Sequence, residues 1–272
     1  MLSNGEKFRA DLARIICDAP ARIVVDEFTS VVDRQIAKIG ALAFGKAWRR
    51  TSGKAVLLSC HYDVIDHLEP DWVFDTATGR YSGRGLWRAP RIEFELWQTD
   101  GRYWPLFEAH HYLHLPPMIG AIYYLAVVDG EPVAHLGIAT KNVGRGGVEA
   151  RGCRMVVMPE WQGAGVGMRF LNEVCQLQLD GKGRLPGRRL TTIFHTSHPG
   201  LCAALRRDKR WAQVSATLHG ANKAASRRTL RGSMQRGRTV MAATGFGGHF
   251  RAVQGFRYLG PEHAAAKEKG PA

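Results

Sequence analysis

The stretch Cys153–Leu179 constrains this chain more than any other part of its sequence. It opens with an apolar run that predicts a buried strand, and it continues with a proline and a turn, 162–167, in which every second residue is glycine. Apolar residues then recur at three-and-four spacing, which is typical of a helix. Glycine lets the backbone come close to a ligand, and the first turn of a helix offers N–H groups to an anion. This order predicts a site for a phosphate group.

The residues around this turn resemble motif A of the GNAT acetyltransferase superfamily. That motif is a strand ending in Val-x-Pro, followed by Gln/Arg-x-x-Gly-x-Gly/Ala at the start of a helix. Here it reads Val157-Met158-Pro159 and Gln162 to Gly167. The glycine spacing differs from the dinucleotide fingerprint, and the Gly-Lys-Ser/Thr of a Walker A loop does not follow. An ordinary strand-to-helix turn with capping glycines is the alternative interpretation.

The resemblance implies acetyl-CoA as the cofactor and an amine as the acceptor. It implies that the strand pairs with the pantetheine arm, that an N–H near Val156 or Val157 polarises the thioester carbonyl, and that the loop holds the pyrophosphate. The implied cofactor-binding residues are Met155, Val156, Val157, Gln162, Gly163, Ala164, Gly165, Val166 and Gly167.

Several residues are candidates for the general base that such a transfer needs. Glu149 begins the central strand, where the superfamily often keeps an acid, and His110 and His111 end a helix, predicted at 102–112, that often borders the acceptor site. The further histidines are His135, which lies in an apolar run and is expected to be a core residue, and His195. Residues 205–211 contain none of the tyrosines with which many relatives protonate the leaving thiolate. The residue that protonates the leaving thiolate is therefore left open, and water is the alternative proton donor.

The pattern predicts an α/β fold with a GNAT-type mixed central sheet flanked by helices, preceded by a smaller N-terminal α/β segment. From Ile92 to about Trp211 the predicted order is strand, helix, three strands, loop, helix, strand, helix, which is the GNAT order. Two closing strands are expected within 247–260. The predicted domains are residues 1–88, residues 89–260 and a disordered tail, 261–272.

Residues 1–88 resemble the C-terminal part of an ABC-type ATPase. Residues 2–7 resemble the signature motif, with Asn4 in place of a usual glycine; 23–27 resemble Walker B, 28–33 the D-loop, and His61 the switch histidine. In that family the Walker B aspartate supports Mg²⁺, the following glutamate polarises the attacking water, and the histidine contacts the γ-phosphate. The vestigial ATPase-like positions are Ser3, Gly5, Asp26, Glu27 and His61. Ser3 is also predicted to cap the first helix.

A complete Walker A sequence, Gly-x4-Gly-Lys-Ser/Thr, is missing from the chain, which opens at the signature motif. We therefore expect no ATP hydrolysis by this chain alone, because the β- and γ-phosphates lack their cradle. No metal site is expected, except at Asp26 if a partner ATPase chain completes a Mg-ATP site. A subunit or remnant of an ABC-type ATPase is accordingly the first alternative function.

The net charge is +14, from 38 basic and 24 acidic residues, and the excess is concentrated in 182–238. Such a charge favours polyanionic partners, including nucleic acid. A basic nucleic-acid-binding or base-modifying protein is the second alternative, because His111-Tyr112-Leu113 with a basic tail is similar to phage Mom-type DNA-modification proteins. The five scattered cysteines favour a reducing, cytoplasmic location, and no apolar run is long enough to predict a membrane span.

Overall fold

The computed structural model describes residues 2–83, 85, 87–88, 90–112, 118, 120–144, 146–217 and 252–268. The chain divides into two compact units. The first combines the residues up to Glu93 with Met158–Val166, and the second combines Phe94–Val157 with the residues from Gly167 onward. The predicted functional domains, with a boundary at residue 88, stay a prediction. Of the basic region 182–238, residues 218–238 lie outside the described residues.

The first unit alternates helices with short strands, as its sequence pattern predicts. Its elements are α1 (Asn4–Asp18), β1 (Arg22–Val25), α2 (Arg34–Trp48), β2 (Lys54–Leu57), α3 (Ile65–Leu68), β3 (Val73–Asp75) and β4 (Arg80–Ser82). Strands β1 and β2 are parallel, and β3 and β4 form an antiparallel hairpin. The buried core of this unit contains Phe28, Phe44 and Trp48. The stacked rings of Phe44 and Trp48, with centroids 5.6 Å apart, place one face of α2 in that core.

Helix α2 contains part of a Walker A sequence, so this motif is incomplete and not wholly absent. Gly40 and Gly45-Lys46 have the Gly-x4-Gly-Lys spacing, but Ala47 stands where Ser or Thr is required. A phosphate loop needs an extended turn whose N–H groups converge on the ligand. Because these residues lie inside a continuous helix, their N–H groups do not converge in this way, and the segment does not form such a loop.

The second unit is built on a mixed sheet, of which the described residues form seven strands, with helices beside it. Its elements are β5 (Glu95–Thr99), α4 (Trp104–Glu108), β6 (Ile122–Val128), β7 (Glu131–Val143), β8 (Gly147–Val157), α5 (Val166–Leu179), β9 (Thr192–Thr196), α6 (Pro199–Arg207), β10 (Trp211–Thr217), β11 (Val253–Tyr258) and α7 (Pro261–Glu268). The order of the described strands is β10-β11-β9-β8-β7-β6-β5, and among them only β8 and β9 pair in parallel. The predicted fold class, a mixed sheet flanked by helices, is confirmed.

Local patterns explain the best-defined connections of this sheet. Strands β6 and β7 are joined by Asp129 and Gly130, whose φ angles are 51° and 83°. Positive φ at both central residues is the signature of a type I′ turn, which suits the twist of a two-residue hairpin. On α5, the apolar stripe predicted from spacing includes Phe170, Leu171 and Val174, and each is fully buried.

Two elements differ from their predicted bounds. The helix expected at 102–112 begins at Trp104, after a 3-10 turn, and ends at Glu108. Proline at 105 suits the first turn of a helix because it has no N–H to donate. The tail expected to be disordered includes a helix, Pro261–Glu268. A proline at its first position and three consecutive alanines favour that conformation.

Candidate functional site

Strand β8 carries a bulge in the middle of the sheet. Gly137 pairs with Cys153 and His135 pairs with Val156, so three steps along β8 match two steps along β7. The extra residue is accommodated at Arg154, which has a φ of 54°. Such a conformation is uncommon for a residue other than glycine, and bulges of this kind redirect a strand and its side chains.

Beyond the bulge, β8 and β9 part from one another. Their parallel ladder comprises three pairs and ends at Gly152 and Phe194. Strand β8 then continues to Val157 along β7, while β9 continues to Thr196 along β11. Within the described strands, residues 153–157 of β8 therefore have a strand partner on one side only. The opposite edge of these residues, the open edge, has no neighbouring strand among the described strands.

The glycine turn follows this open strand directly and leads into α5. Gly165 has a φ of 92°, a conformation that side chains with a Cβ rarely adopt. Gly167 lies in the first turn of α5, and a Cβ there would stand 2.9 Å from Val157 Cγ2. The absence of a side chain at Gly167 thus lets the first turn of the helix approach the end of β8.

In the first unit, α2 contacts the same turn. Lys46 Nζ donates a hydrogen bond to the carbonyl oxygen of Ala164 at 2.7 Å. One turn earlier on α2, Ala43 Cβ lies 2.8 Å from the position that a Cβ on Gly163 would occupy. The glycines of the turn therefore also permit close packing by α2.

His135 is buried beside the bulge, where three aromatic rings surround it. Its ring centroid lies 5.2–5.4 Å from those of Trp104, Phe107 and Tyr123. Its Nδ1 lies 3.2 Å from the carbonyl oxygen of Arg154, and its Nε2 has no hydrogen-bond partner among the described residues. Burial lowers the pKa of His135 to about 4, so the ring is neutral at pH 7. The expectation of a core histidine agrees with this position.

The two candidate histidines at the end of α4 differ in environment. His110 is exposed, whereas His111 is buried. The ring of His111 lies 5.6 Å from that of Trp104, centroid to centroid, and the Arg154 guanidinium lies over the same Trp104 ring at 5.2 Å. His111 is thus the member of this pair that is connected to the bulge, through the ring of Trp104.

Glu149 is buried and held in ion pairs. Its Oε1 accepts a hydrogen bond from Arg257 Nε at 2.7 Å, and its Oε2 lies 3.7 Å from Lys141 Nζ. Val156 lies seven positions farther along the strand, which corresponds to about 23 Å at the usual rise of a strand. His195 is partly buried, and burial, followed by the charges of Arg151 and Lys141, lowers its pKa.

Replacing Glu149 with glutamine is expected to lower the free energy of unfolding by about 2 kcal/mol, because it leaves a partly buried guanidinium without its carboxylate. Urea denaturation measures this loss, and Arg257→Met should cause a loss of similar size. Glu131→Gln, at the exposed start of β7, is the matched control and should change stability little. If Glu149→Gln is as stable as this control, the ion pair does not stabilise the fold.

The ATPase-like residues of the first unit make local structural contacts. Ser3 forms a capping box with Glu6 at the start of α1, which confirms the predicted cap, and Gly5 is buried against Ile36. The Asp26 carboxylate accepts a hydrogen bond from the Glu27 N–H at 2.8 Å. His61 is partly buried, and its Nδ1 lies 3.5 Å from Cys60 Sγ. Among the described residues, no three His, Cys, Asp or Glu side chains are grouped as a metal site would require.

Two features of the site escaped the sequence analysis. No local sequence pattern predicts the bulge at Arg154, because a residue of a strand is extra only in relation to its pairing with the neighbouring strand. Lys46 lies in a helix whose partial Walker A sequence does not indicate its contact with Ala164, 118 positions away in the chain.

A curated protein of known function matches part of the chain. The chain is 42% identical over 81 residues to the cytochrome c biogenesis ATP-binding export protein CcmA of Rhodospirillum rubrum. The match covers 26% of this chain and 34% of that protein, so the chain spans about a third of the length of this relative. It is consistent with an ATPase-derived fragment within the chain. No family model matches the chain.

Solved structures similar to the chain include several acetyltransferases. The IAA acetyltransferase of Bacillus cereus is 11% identical, with a TM-score of 0.39 over 61% of this chain and 99% of its own. A GNAT-family acetyltransferase of Streptococcus pneumoniae is 10% identical, with a TM-score of 0.38 over 62% of this chain and 100% of its own. The ribosomal-protein-alanine N-acetyltransferase of Brucella melitensis is 12% identical, with a TM-score of 0.34 over 51% of this chain and 68% of its own. At such identities and scores, the similarity assigns neither a substrate nor a site residue.

The helices of the part of the chain that the structure describes are too short or too polar to traverse a bilayer.

Proposed function

We propose that this protein is an acetyl-CoA-dependent N-acyltransferase that acts on an amine. The observation that carries the proposal is the continuous sequence of a bulged strand, an open strand edge, a glycine turn and the first turn of α5. An open edge suits an extended amide-bearing arm, because backbone N–H and C=O groups pair with extended chains. A glycine turn that begins a helix suits a diphosphate. Acetyl-CoA is a ligand class that combines both parts.

The proposed cofactor contacts follow the order of the chain. Residues 155–157 would hold the pantetheine arm, and an N–H near Val156 or Val157 would polarise the thioester carbonyl. Residues 162–167 would hold the diphosphate through their backbone N–H groups. When bound, acetyl-CoA would supply the acetyl group as a thioester, with the CoA thiolate as the leaving group. The fold contributes chiefly by holding the two reactants in place.

Of the candidates Glu149, His110 and His111, we propose His111 as the general base. It contacts Trp104, over which the Arg154 side chain of the bulge lies. Its role is to accept the proton that the amine nitrogen loses as the new bond forms. Glu149 lies farther along the strand in ion pairs with Arg257 and Lys141, and His110 is exposed.

Titration calorimetry with acetyl-CoA tests the cofactor, and mass spectrometry with a panel of amines, peptides and nucleic acids tests the transfer. Binding with a Kd in the micromolar range and a mass increase of one acetyl group on an amine are expected. Failure to bind acetyl-CoA at millimolar concentration contradicts the proposal. Binding without transfer to any amine leaves a cofactor site but contradicts the assigned reaction.

For the ATPase-like segment, we expect no ATP hydrolysis by this chain alone. Ser3 is engaged as a helix cap, and the partial Walker A sequence lies within α2. Phosphate release from Mg-ATP should remain at background for the wild-type protein and for Glu27→Gln alike. A wild-type rate that Glu27→Gln abolishes would contradict this expectation and would favour an ATPase.

A further inference from the structure

Helix α2 of the first unit places a cation at the glycine turn. Lys46 Nζ donates to the Ala164 carbonyl oxygen at 2.7 Å, and it lies 3.5 Å from the position of a Cβ on Gly165. Ala43, three residues earlier and on the same helix face, packs against Gly163. Two neighbouring positions of α2 therefore contact the turn, and the ammonium group is held at its centre.

The chemistry of a lysine side chain suits an anion at this turn. An ammonium group carries a full positive charge and three N–H donors, and it attracts phosphate oxygens over several ångströms. Its stem has four carbons and rotates freely, so the group can reach an adjacent phosphate oxygen without movement of the backbone. Lysine binds phosphate as a point charge, as in the phosphate loops of nucleotide-binding proteins.

A purely structural role predicts a different outcome. Lys46 lies in the last turn of α2, where a cation is favoured by the helix dipole whether or not a ligand binds. Such a role would change the stability of the fold and would affect ligands with and without a diphosphate to the same extent. The two roles are therefore separable by measuring the binding of ligands with and without a diphosphate.

We propose that Lys46 binds the diphosphate of the nucleotide thioester at residues 163–165 of the glycine turn, which belong to the same unit as Lys46. This inference rests on the proposed function, because it assumes that acetyl-CoA binds at the glycine turn. It assigns to the first 88 residues a role in cofactor affinity that needs neither ATP nor a partner chain.

Calorimetry with CoA and with acetyl-pantetheine, which lacks the diphosphate, tests the inference in four proteins: the wild type, Lys46→Met, Lys46→Arg and Lys38→Met. Lys38 lies on the same helix, two turns earlier, and its ammonium is 3.7 Å from Asp63, which makes it the matched control. Lys46→Met is expected to raise the Kd of CoA by about tenfold, the effect of losing one charge-assisted contact. Lys46→Arg should stay within about threefold of wild type because it keeps the charge. Acetyl-pantetheine should bind all four proteins equally.

Each other result overturns the inference in a distinguishable way. If wild type does not bind CoA, the proposed function fails and Lys46 has no ligand. If wild type binds CoA and Lys46→Met matches Lys38→Met, only the role of Lys46 fails. Tighter binding of CoA by Lys46→Met would show that Lys46 obstructs the diphosphate site instead of contributing to it. An equal loss of CoA and acetyl-pantetheine affinity would assign Lys46 a structural role, which thermal melting of the variant would also register.

Discussion

Replacement of Gly165 with glutamate is expected to raise the Kd of acetyl-CoA by at least about 100-fold. Two effects combine at this position. Gly165 has a φ of 92°, so a side chain there strains the turn by about 1–3 kcal/mol. A carboxylate at a diphosphate site adds repulsion between like charges, and a combined cost of about 3 kcal/mol corresponds to a factor of 100. Titration calorimetry measures the change directly.

A control for the backbone strain comes from another turn of the chain. Gly79 also has a positive φ, 67°, and no atom lies within 4 Å of the position of an added Cβ. Gly79→Glu introduces the same residue and a similar strain into the β3–β4 hairpin, and it should leave the Kd of acetyl-CoA within about twofold. Equal losses in the two variants would mean that destabilisation, not the loss of a phosphate site, explains the result at Gly165.

Acidification from pH 6.5 to pH 4 is expected to remove about 3 kcal/mol of stability through His135 alone. The pKa of this ring is lowered by burial from 6.5 to about 4 in the folded protein. The unfolded chain therefore binds a proton at a higher pH than the folded one. The stabilising contribution is fully present above pH 6.5 and is lost as the pH falls toward 4. The hydrogen bond with the Arg154 carbonyl opposes this lowering of the pKa, whereas the charges of Arg154 and His111 act in the same direction as burial.

The measurement is the free energy of unfolding, by urea denaturation, at several values of pH between 4 and 7. His135→Phe keeps a ring among the aromatic neighbours and removes the titrating group, so its stability should fall less steeply with acid than that of the wild type. His110→Phe changes an exposed histidine and should keep the wild-type slope. His67 and His195, whose pKa values burial also lowers, contribute equally to all three proteins. Parallel slopes for His135→Phe and wild type would contradict the assignment.

The two predictions depend on different kinds of information. The effect at Gly165 is predictable from the sequence, because the glycine turn is a local pattern that indicates a phosphate-bearing ligand. The effect at His135 is not. Its apolar surroundings predict burial, but its contact with the Arg154 carbonyl depends on a bulge that is defined by the pairing of β7 with β8. The sequence likewise does not distinguish His110 from His111 as a general base. Only their burial and contacts in the folded chain do so.

The sequence by itself determined what short-range patterns encode: the order of helices and strands, the Asp129-Gly130 hairpin, the capped start of α1 and the glycine turn before α5. Each depends on residues a few positions apart, whose conformational preferences act before the chain is folded. Tertiary structure alone decided the insertion of β11 between β9 and β10, the parting of β8 from β9 and the pairing of Glu149 with Arg257, 108 positions away. The tertiary structure also decided the hydrogen bond between Lys46 and the Ala164 carbonyl. These contacts join distant segments, and their energies depend on burial and partner geometry that exist only once the sheet and the units have formed.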